Sequence, residues 1–336
     1  MTELQDKLRA VTDEDRKNLL TTSYSGLDLF CNCQYRYMQQ KIEKKYSTSS
    51  TIALDLGNIL HKGLELKGIY LMNEQPVDYD NIHSIIMEGC DEISDKTREH
   101  LPGVNEIQSM YVQDWIASME DTAAKSYPEK IQTYLDNVLP TRMEEDDWVV
   151  DGVEVHFEYV YDNRIIVHGF IDRVDTKIDE NGTKLIRVVD YKSSKKTYDD
   201  SKIKTPMQMI VYDLACLQMY GILPTEHEYD FIALNKRQTS SDGVCSKGYL
   251  KRGLKKIDST LDKMEKAEQE HEYPPSPTPL CYWCPYPPKS HTKNADDKWE
   301  NTCPYYSLWT PEKKIFQVNQ EYMPGEEPKE PRKLVF

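Results

Sequence analysis

The chain has 336 residues, 38% hydrophobic and 29% charged, with a formal net charge of −15 at pH 7. That length holds one large elaborated domain or two ordinary ones, and no run of about 18 apolar residues marks a membrane span. The acidic balance argues against a broad, non-specific nucleic-acid coat, while leaving room for a cleft with local basic patches.

The start, MTELQDKLRAVTDEDRKNLL, is amphipathic and lacks the apolar core of a secretory signal, which points to the cytoplasm. Residues 1–22 read as a helical lead-in. Residues 23–71 read as two helices: YSGLDLFCNCQYRYMQQKI carries Cys31 and Cys33, and LDLGNILHKGLELKGIYLM carries His61. Leu56, Leu60 and Leu64 recur every fourth residue, so the second helix has one buried stripe. Residues 72–147 read as a helical insertion.

From Trp148 the period changes to two, opening a core that spans 148–272. VEVHFEYVY alternates apolar with polar residues, as a half-buried strand does. Glu154 and Glu158 share one of its faces, where solvent exposure is expected. Asp162-Asn163 turns into RIIVHGFIDRVDTKI, and Asp179–Gly182 turns into KLIRVVDYKSS. The expectation is an antiparallel three-stranded meander. A helix then starts with Thr205 as N-cap and Pro206 at its first position, and stops at Gly221. YDFIALN reads as a strand, KRQTSSDGVCSKG as a mobile loop and 250–271 as a charged helix. A Cys-rich segment (273–310) and a tail (311–336) close the chain.

Asp190 and Lys192 stand at i and i+2 of a strand, hence on one face. Asp172 lies on the preceding strand, and an antiparallel neighbour brings it close to Asp190. Two converging carboxylates suit a hard cation such as Mg²⁺ or Mn²⁺. A lysine beside them can orient a water and balance phosphoryl charge. His61 and Glu65 are i and i+4 on a helix, so His61 can add a nitrogen ligand and Glu65 a further acid. Lys195, Lys196, Lys202 and Lys204 follow the signature as either a phosphate-contacting rim or a solvated loop.

GNILHKGLE, GFIDRVD, VVDYKS and QMIVYDLA, in that order, resemble the PD-(D/E)XK nuclease superfamily, and within it the RecB-like branch. That branch includes the RecB and AddB nuclease domains and the CRISPR-adaptation and phage recombination exonucleases. The resemblance implies an α/β restriction-endonuclease-like core, a mixed sheet flanked by helices. It implies His61, Asp172 and Asp190 as metal ligands, Lys192 as the signature lysine, and Gln208 and Tyr212 as the Q-xxx-Y pair. It further implies a Mg²⁺- or Mn²⁺-dependent DNA exonuclease in recombination, repair or phage DNA processing. Its partners would be DNA ends or single strands and a helicase or recombination protein, with oligomerisation left open. The other reading is a DNA-binding or scaffold component of a helicase–nuclease complex.

Cys281 and Cys284 form a C-x-x-C, Cys303 follows, and Cys33 lies far upstream in CQYRY. By the same resemblance these four cysteines hold a [4Fe–4S] cluster. The sequence departs from the iron–sulfur pattern at Gln34, where proline is usual, and in the long gap before Cys303. Cys31 could compete for the cluster, and His291 within the gap keeps a Zn²⁺ site as the alternative.

Overall fold

The computed structural model describes residues 2–45, 52–88, 127–143, 147–194, 196–276, 284, 286, 303, 306–310, 315–320 and 329–335. The chain divides into two compact units: Met1–Thr21 with Ser50–Leu254, and Thr22–Ser49 with Lys255–Phe336. Among the described residues, no helix is long and apolar enough to cross a membrane.

The first unit is built on a seven-stranded sheet flanked by helices. Its strands are β1 (Leu8–Arg9), β2 (Leu20–Thr22), β3 (Val149–Tyr161), β4 (Ile165–Ile178), β5 (Lys184–Lys192), β6 (Glu226–Phe231) and β7 (Lys236–Thr239). They run in the order β1-β3-β4-β5-β6-β7, with β2 pairing β4. The expected meander is present as β3–β4–β5. Asp162 and Asn163 both take positive φ, +52° and +54°. Those values suit the type I′ turn whose twist matches that of its strands.

β5 and β6 pair in parallel. Parallel neighbours need a crossover, and the helix Met207–Tyr220 supplies it. This makes the sheet mixed, as the restriction-endonuclease-like class requires. The helix ends at Gly221 with φ +74°, as its position in the sequence indicates. Its N-cap is Pro206 rather than Thr205. The Thr205 hydroxyl instead accepts from Arg252 Nε at 3.1 Å.

The longer α-helices of this unit among the described residues are α1 (Ile52–Met72), α2 (Tyr79–Glu88), α3 (Tyr127–Thr133), α4 (Met207–Tyr220) and α5 (Tyr249–Glu270); from Lys255 onward, α5 counts with the second unit. Leu60 and Leu64 of the α1 stripe are buried with Ile82 and Ile86 of α2, Tyr134 and Leu139 after α3, and Val189 and Tyr191 of β5. Gly68 lets α1 press on the sheet, since a Cβ there would lie 2.3 Å from Val153 Cγ1. Tyr134 donates its hydroxyl to the Leu60 carbonyl at 2.6 Å, fixing α1 one residue before His61.

Two expectations are corrected here. The lead-in 1–22 is not a continuous helix: short helices at Thr2–Gln5 and Asp15–Asn18 alternate with β1 and β2. Sheet pairing overrides helical pattern there, because β1 finds an open partner in β3. KRQTSSDGVCSKG is not simply a mobile loop: Lys236–Thr239 pairs with β6, and Thr239 and Asp242 close a capping box. The helical reading of 72–147 holds at α2 and α3, while 89–126 lies outside the described residues.

In the second unit, Ser23 caps the helix Tyr24–Asn32. Cys33 breaks the expected continuous helix with extended backbone (φ −162°), and Gln34–Tyr37 resumes it. The tail forms an antiparallel sheet of β8 (Tyr306–Thr310), β9 (Ile315–Gln320) and β10 (Lys329–Val335).

Candidate active site

The β4–β5 ladder runs from Ile178↔Lys184 to Arg173↔Val189. Beyond that pair the strands part. The next backbone donor, Tyr191 N–H, bonds the Asp172 carboxylate at 2.7 Å instead of a strand partner. The fork leaves the side chains of Asp172 and Asp190 beside one another.

Asp190, Lys192, Gln208 and Tyr212 form one hydrogen-bonded chain. The Lys192 ammonium is ion-paired to Asp190 Oδ2 and donates to Gln208 Oε1 at 3.0 Å. Gln208 Nε2 donates to the Tyr212 hydroxyl at 2.9 Å, and that hydroxyl donates to Asp190 Oδ1 at 3.4 Å. The i, i+4 spacing on α4 therefore delivers both helix residues to the signature strand. Burial works against the charge on Lys192, but Asp190, Tyr198 and Asp172 together outweigh it and the pKa is raised.

His61 reaches the fork from α1, with Nδ1 3.8 Å from Asp172 Oδ2. Its ring stands edge-on to Tyr191 at 5.6 Å. Burial lowers its pKa, favouring the neutral imidazole that a metal requires. His61, Asp172 and Glu154 bring one ligand atom each to within 4.8 Å of one another. In an octahedral shell with bonds of about 2.1 Å, opposite ligands stand about 4.2 Å apart, so the group is near the right size for a divalent cation. Asp190 is not in that group, its carboxylate being held by Lys192 and Tyr212.

Glu154 corrects the expectation of an exposed side chain. It is half-buried, and the β3–β4 register sets it opposite Asp172, between the pairs Val153↔Arg173 and Val155↔Ile171. Burial, and then the charge of Glu65, push its pKa up to about 7. Asp172 is raised well above the usual carboxylate range by burial, then by Asp190 and Glu154. Like charges set opposite each other across two strands are destabilising unless a cation lies between them. No local spacing announces Glu154, and only the register reveals it. Glu65 is ion-paired with Lys62. Glu158 is half-buried and forms a bidentate pair with Arg16 at 2.6 and 2.7 Å.

Behind the fork lies a buried ionic network. Arg187 donates to Asp175 Oδ2 from Nε at 2.8 Å and Nη2 at 2.6 Å. Arg173 Nε lies 3.0 Å from Asp175 Oδ1, and Arg173 Nη1 donates to the Tyr191 hydroxyl at 3.2 Å. The network thus holds the ring against which His61 packs. A second buried set fixes α4: Asp213 bonds His227 Nε2 and accepts from the Tyr249 hydroxyl, both at 2.6 Å. Of the expected basic rim, Lys196, Lys202 and Lys204 are exposed. Lys202 lies over the Tyr198 ring at 3.6 Å and Lys204 pairs with Asp200 at 2.6 Å. Lys195 is outside the described residues.

In the second unit, Cys33, Cys284 and Cys303 all act on the Tyr35 phenol. Tyr35 is pushed up to about 12 by burial, then by the charges of Cys303, Cys284 and Cys33. The Cys31 sulfur lies 3.3 Å from Thr260 Oγ1. Cys281 and His291 lie outside the described residues.

Comparison with known proteins agrees with this geometry. The family model of the PD-(D/E)XK nuclease superfamily matches residues 21–288, and the chain belongs to that superfamily. Among curated proteins it is similar to the B component of the ATP-dependent helicase/deoxyribonuclease of Streptococcus mutans serotype c, at 26% identity over 73% of this chain and 20% of that protein. The protein of the same name from Streptococcus agalactiae serotype Ia is 26% identical over 57% of this chain and 16% of that protein. The one from Clostridium perfringens is 25% identical over 59% and 18%. The chain thus spans a fifth or less of the length of these relatives.

Proposed function

We propose that this chain is a divalent-cation-dependent DNA nuclease that degrades strands from an end, working beside a helicase or recombination partner. One observation carries the reading: a three-ligand group of His61, Glu154 and Asp172 beside an Asp190–Lys192 ion pair. The donor set, one imidazole nitrogen with carboxylate oxygens, fits Mg²⁺ or Mn²⁺. His61, Asp172 and Glu154 would hold the cation, with Asp190 completing the set. A bound divalent cation supplies Lewis-acid stabilisation of phosphoryl charge and lowers the pKa of nearby water.

The chain's own residues do the rest. Lys192 holds a positive charge at the fork, where it can orient the attacking water and offset charge on the phosphate. Gln208 fixes the ammonium through its side-chain oxygen, and Tyr212 ties Gln208 to Asp190. The geometry of Lys192 is therefore set before substrate arrives.

For the second unit we read Cys33, Cys281, Cys284 and Cys303 as thiolate ligands of a [4Fe–4S] cluster, with Zn²⁺ as the rival. The common influence of Cys33, Cys284 and Cys303 on Tyr35 supports a shared centre. Soft thiolates suit either of these and not Mg²⁺. Helicase partnership is suggested by the names of the relatives. The test is cleavage of end-labelled linear and covalently closed circular DNA in Mn²⁺, beside Asp190→Ala. Linear DNA should be degraded and circles spared. Rapid cutting of single-stranded circles would replace the exonuclease reading with an endonuclease one, and no Mn²⁺-dependent cutting would remove the nuclease reading.

A further inference from the structure

The helix that carries Gln208 and Tyr212 is gripped on its other side by the first turn of α5. At about 100° per residue, Gln208 and Tyr212 centre about 150° around α4 from Ile210 and Asp213. The first pair meets Lys192 and Asp190, and the second meets α5. Tyr249 donates its hydroxyl to Asp213 Oδ2 at 2.6 Å. Gly253, one turn further along α5, faces Ile210 so closely that a Cβ there would lie 1.7 Å from Cδ1 and 2.7 Å from Cγ1. Ile210 is fully buried, which leaves its side chain little room to swing aside. Arg252 donates from Nε to the Thr205 hydroxyl at 3.1 Å and from Nη2 to the Lys204 carbonyl at 3.4 Å, just before α4 begins. All of these residues belong to the first unit.

The grip thus runs from Lys204 to Asp213, and Gln208 and Tyr212 lie inside that span. Asp213 is held a second time by His227 Nε2 of β6 at 2.6 Å. Burial, and then the charge of Asp213, raise the Tyr249 pKa above its ordinary value, so the phenol stays a donor. Lys192 is held by Asp190 and by Gln208, and Gln208 moves with α4. A shift of α4 therefore moves the ammonium. It leaves His61, Glu154 and Asp172 in place, because they stand on α1, β3 and β4.

From this arrangement we propose that Tyr249 and Gly253 are positioning residues for Lys192, fixing α4 where Gln208 and Tyr212 can hold the ammonium. The inference rests on the nuclease reading and adds to it a control on the signature lysine from a helix outside the fork. A displacement of about 1 Å at a reacting group can cost about 100-fold in rate.

The experiment compares wild type, Tyr249→Phe, Gly253→Ala and the double variant Gly253→Ala with Ile210→Ala. It measures Mn²⁺-dependent cutting of labelled linear DNA at a temperature where the proteins are folded, with Mn²⁺ affinity by calorimetry and melting temperature alongside. Gly253→Ala should lower kcat by about 100-fold and Tyr249→Phe by about 10-fold, with KM and Mn²⁺ affinity at wild-type values. Ile210→Ala makes room for the methyl of Gly253→Ala, so the double variant should regain most of the lost kcat. Its melting temperature should stay low, since it has lost buried apolar surface. A merely structural role predicts the reverse, with kcat following melting temperature and the double variant slowest, and that result would overturn the proposal. Should Gly253→Ala fail to fold, Tyr249→Phe decides alone, because it removes a single oxygen. If folded Tyr249→Phe cuts within twofold of wild type, or loses Mn²⁺ affinity in step with kcat, the positioning role is overturned and the nuclease reading stands. If wild type shows no Mn²⁺-dependent cutting, both readings fall.

Discussion

Asp175→Asn removes one charge from the network behind the fork and almost no volume. The carboxylate is 1% exposed and lies between two guanidiniums that are themselves buried, Arg173 at 2% and Arg187 at 6%. Its contacts at 2.6, 2.8 and 3.0 Å are all charge-assisted. An asparagine can accept at one oxygen but presents an N–H₂ to the other arginine. The variant therefore leaves buried cations short of their counter-charge, a loss of about 3–5 kcal/mol. Against a total of about 5–15 kcal/mol for a domain, that is a large fraction. At an m-value of about 2 kcal/mol/M it lowers the urea midpoint by about 2 M. A second effect runs through Arg173, which holds the Tyr191 hydroxyl and so the ring beside His61. Mn²⁺ affinity by calorimetry should fall even under conditions where the variant is fully folded. A loss of stability below about 1 kcal/mol would show the network to be solvated in solution and refute the reasoning.

Lys192→Ala and Asp190→Ala should each abolish cleavage on labelled DNA. Because the two groups are ion-paired at a buried site, each should also lower the metal-free melting temperature, which a purely catalytic role would leave unchanged. Glu154→Gln tests the pH dependence. The folded pKa of Glu154, about 7, lies above its ordinary 4.5, so the folded state keeps a proton that the unfolded state releases. That contribution is present below about pH 4.5 and lost as pH rises through about 7. In chelator, wild type should weaken over this window more steeply than Glu154→Gln, and parallel urea-midpoint profiles would refute the assignment. The variant should also bind Mn²⁺ more weakly. Protein purified without air should be brown and contain iron and sulfide, and Cys284→Ala should lose the colour. One zinc and no sulfide by elemental analysis would overturn the iron–sulfur proposal while sparing the nuclease one.

Much of the site was legible because its spacings are local. A strand sets Asp190 and Lys192 on one face, and a helix sets Gln208 and Tyr212 one turn apart. Those rules hold wherever the elements pack, and the structure joins all four in one hydrogen-bonded chain. The hairpins were legible for the same reason, since Asp162-Asn163 tolerates the positive φ that a tight turn requires.

What the sequence by itself determined is therefore the set of elements and the local facing of their polar residues. Tertiary structure alone decided the partners that come from different elements. Glu154 looks like the polar half of an alternating strand until the β3–β4 register sets it opposite Asp172. Arg173, Asp175 and Arg187 carry no local sign of burial, and the β4–β5 register brings them together as a buried ionic network. Leu8–Arg9 carries no strand pattern of its own and becomes β1 because β3 presents an unpaired edge. Each of these depends on which backbone groups meet across the fold, and local periodicity holds no record of that pairing.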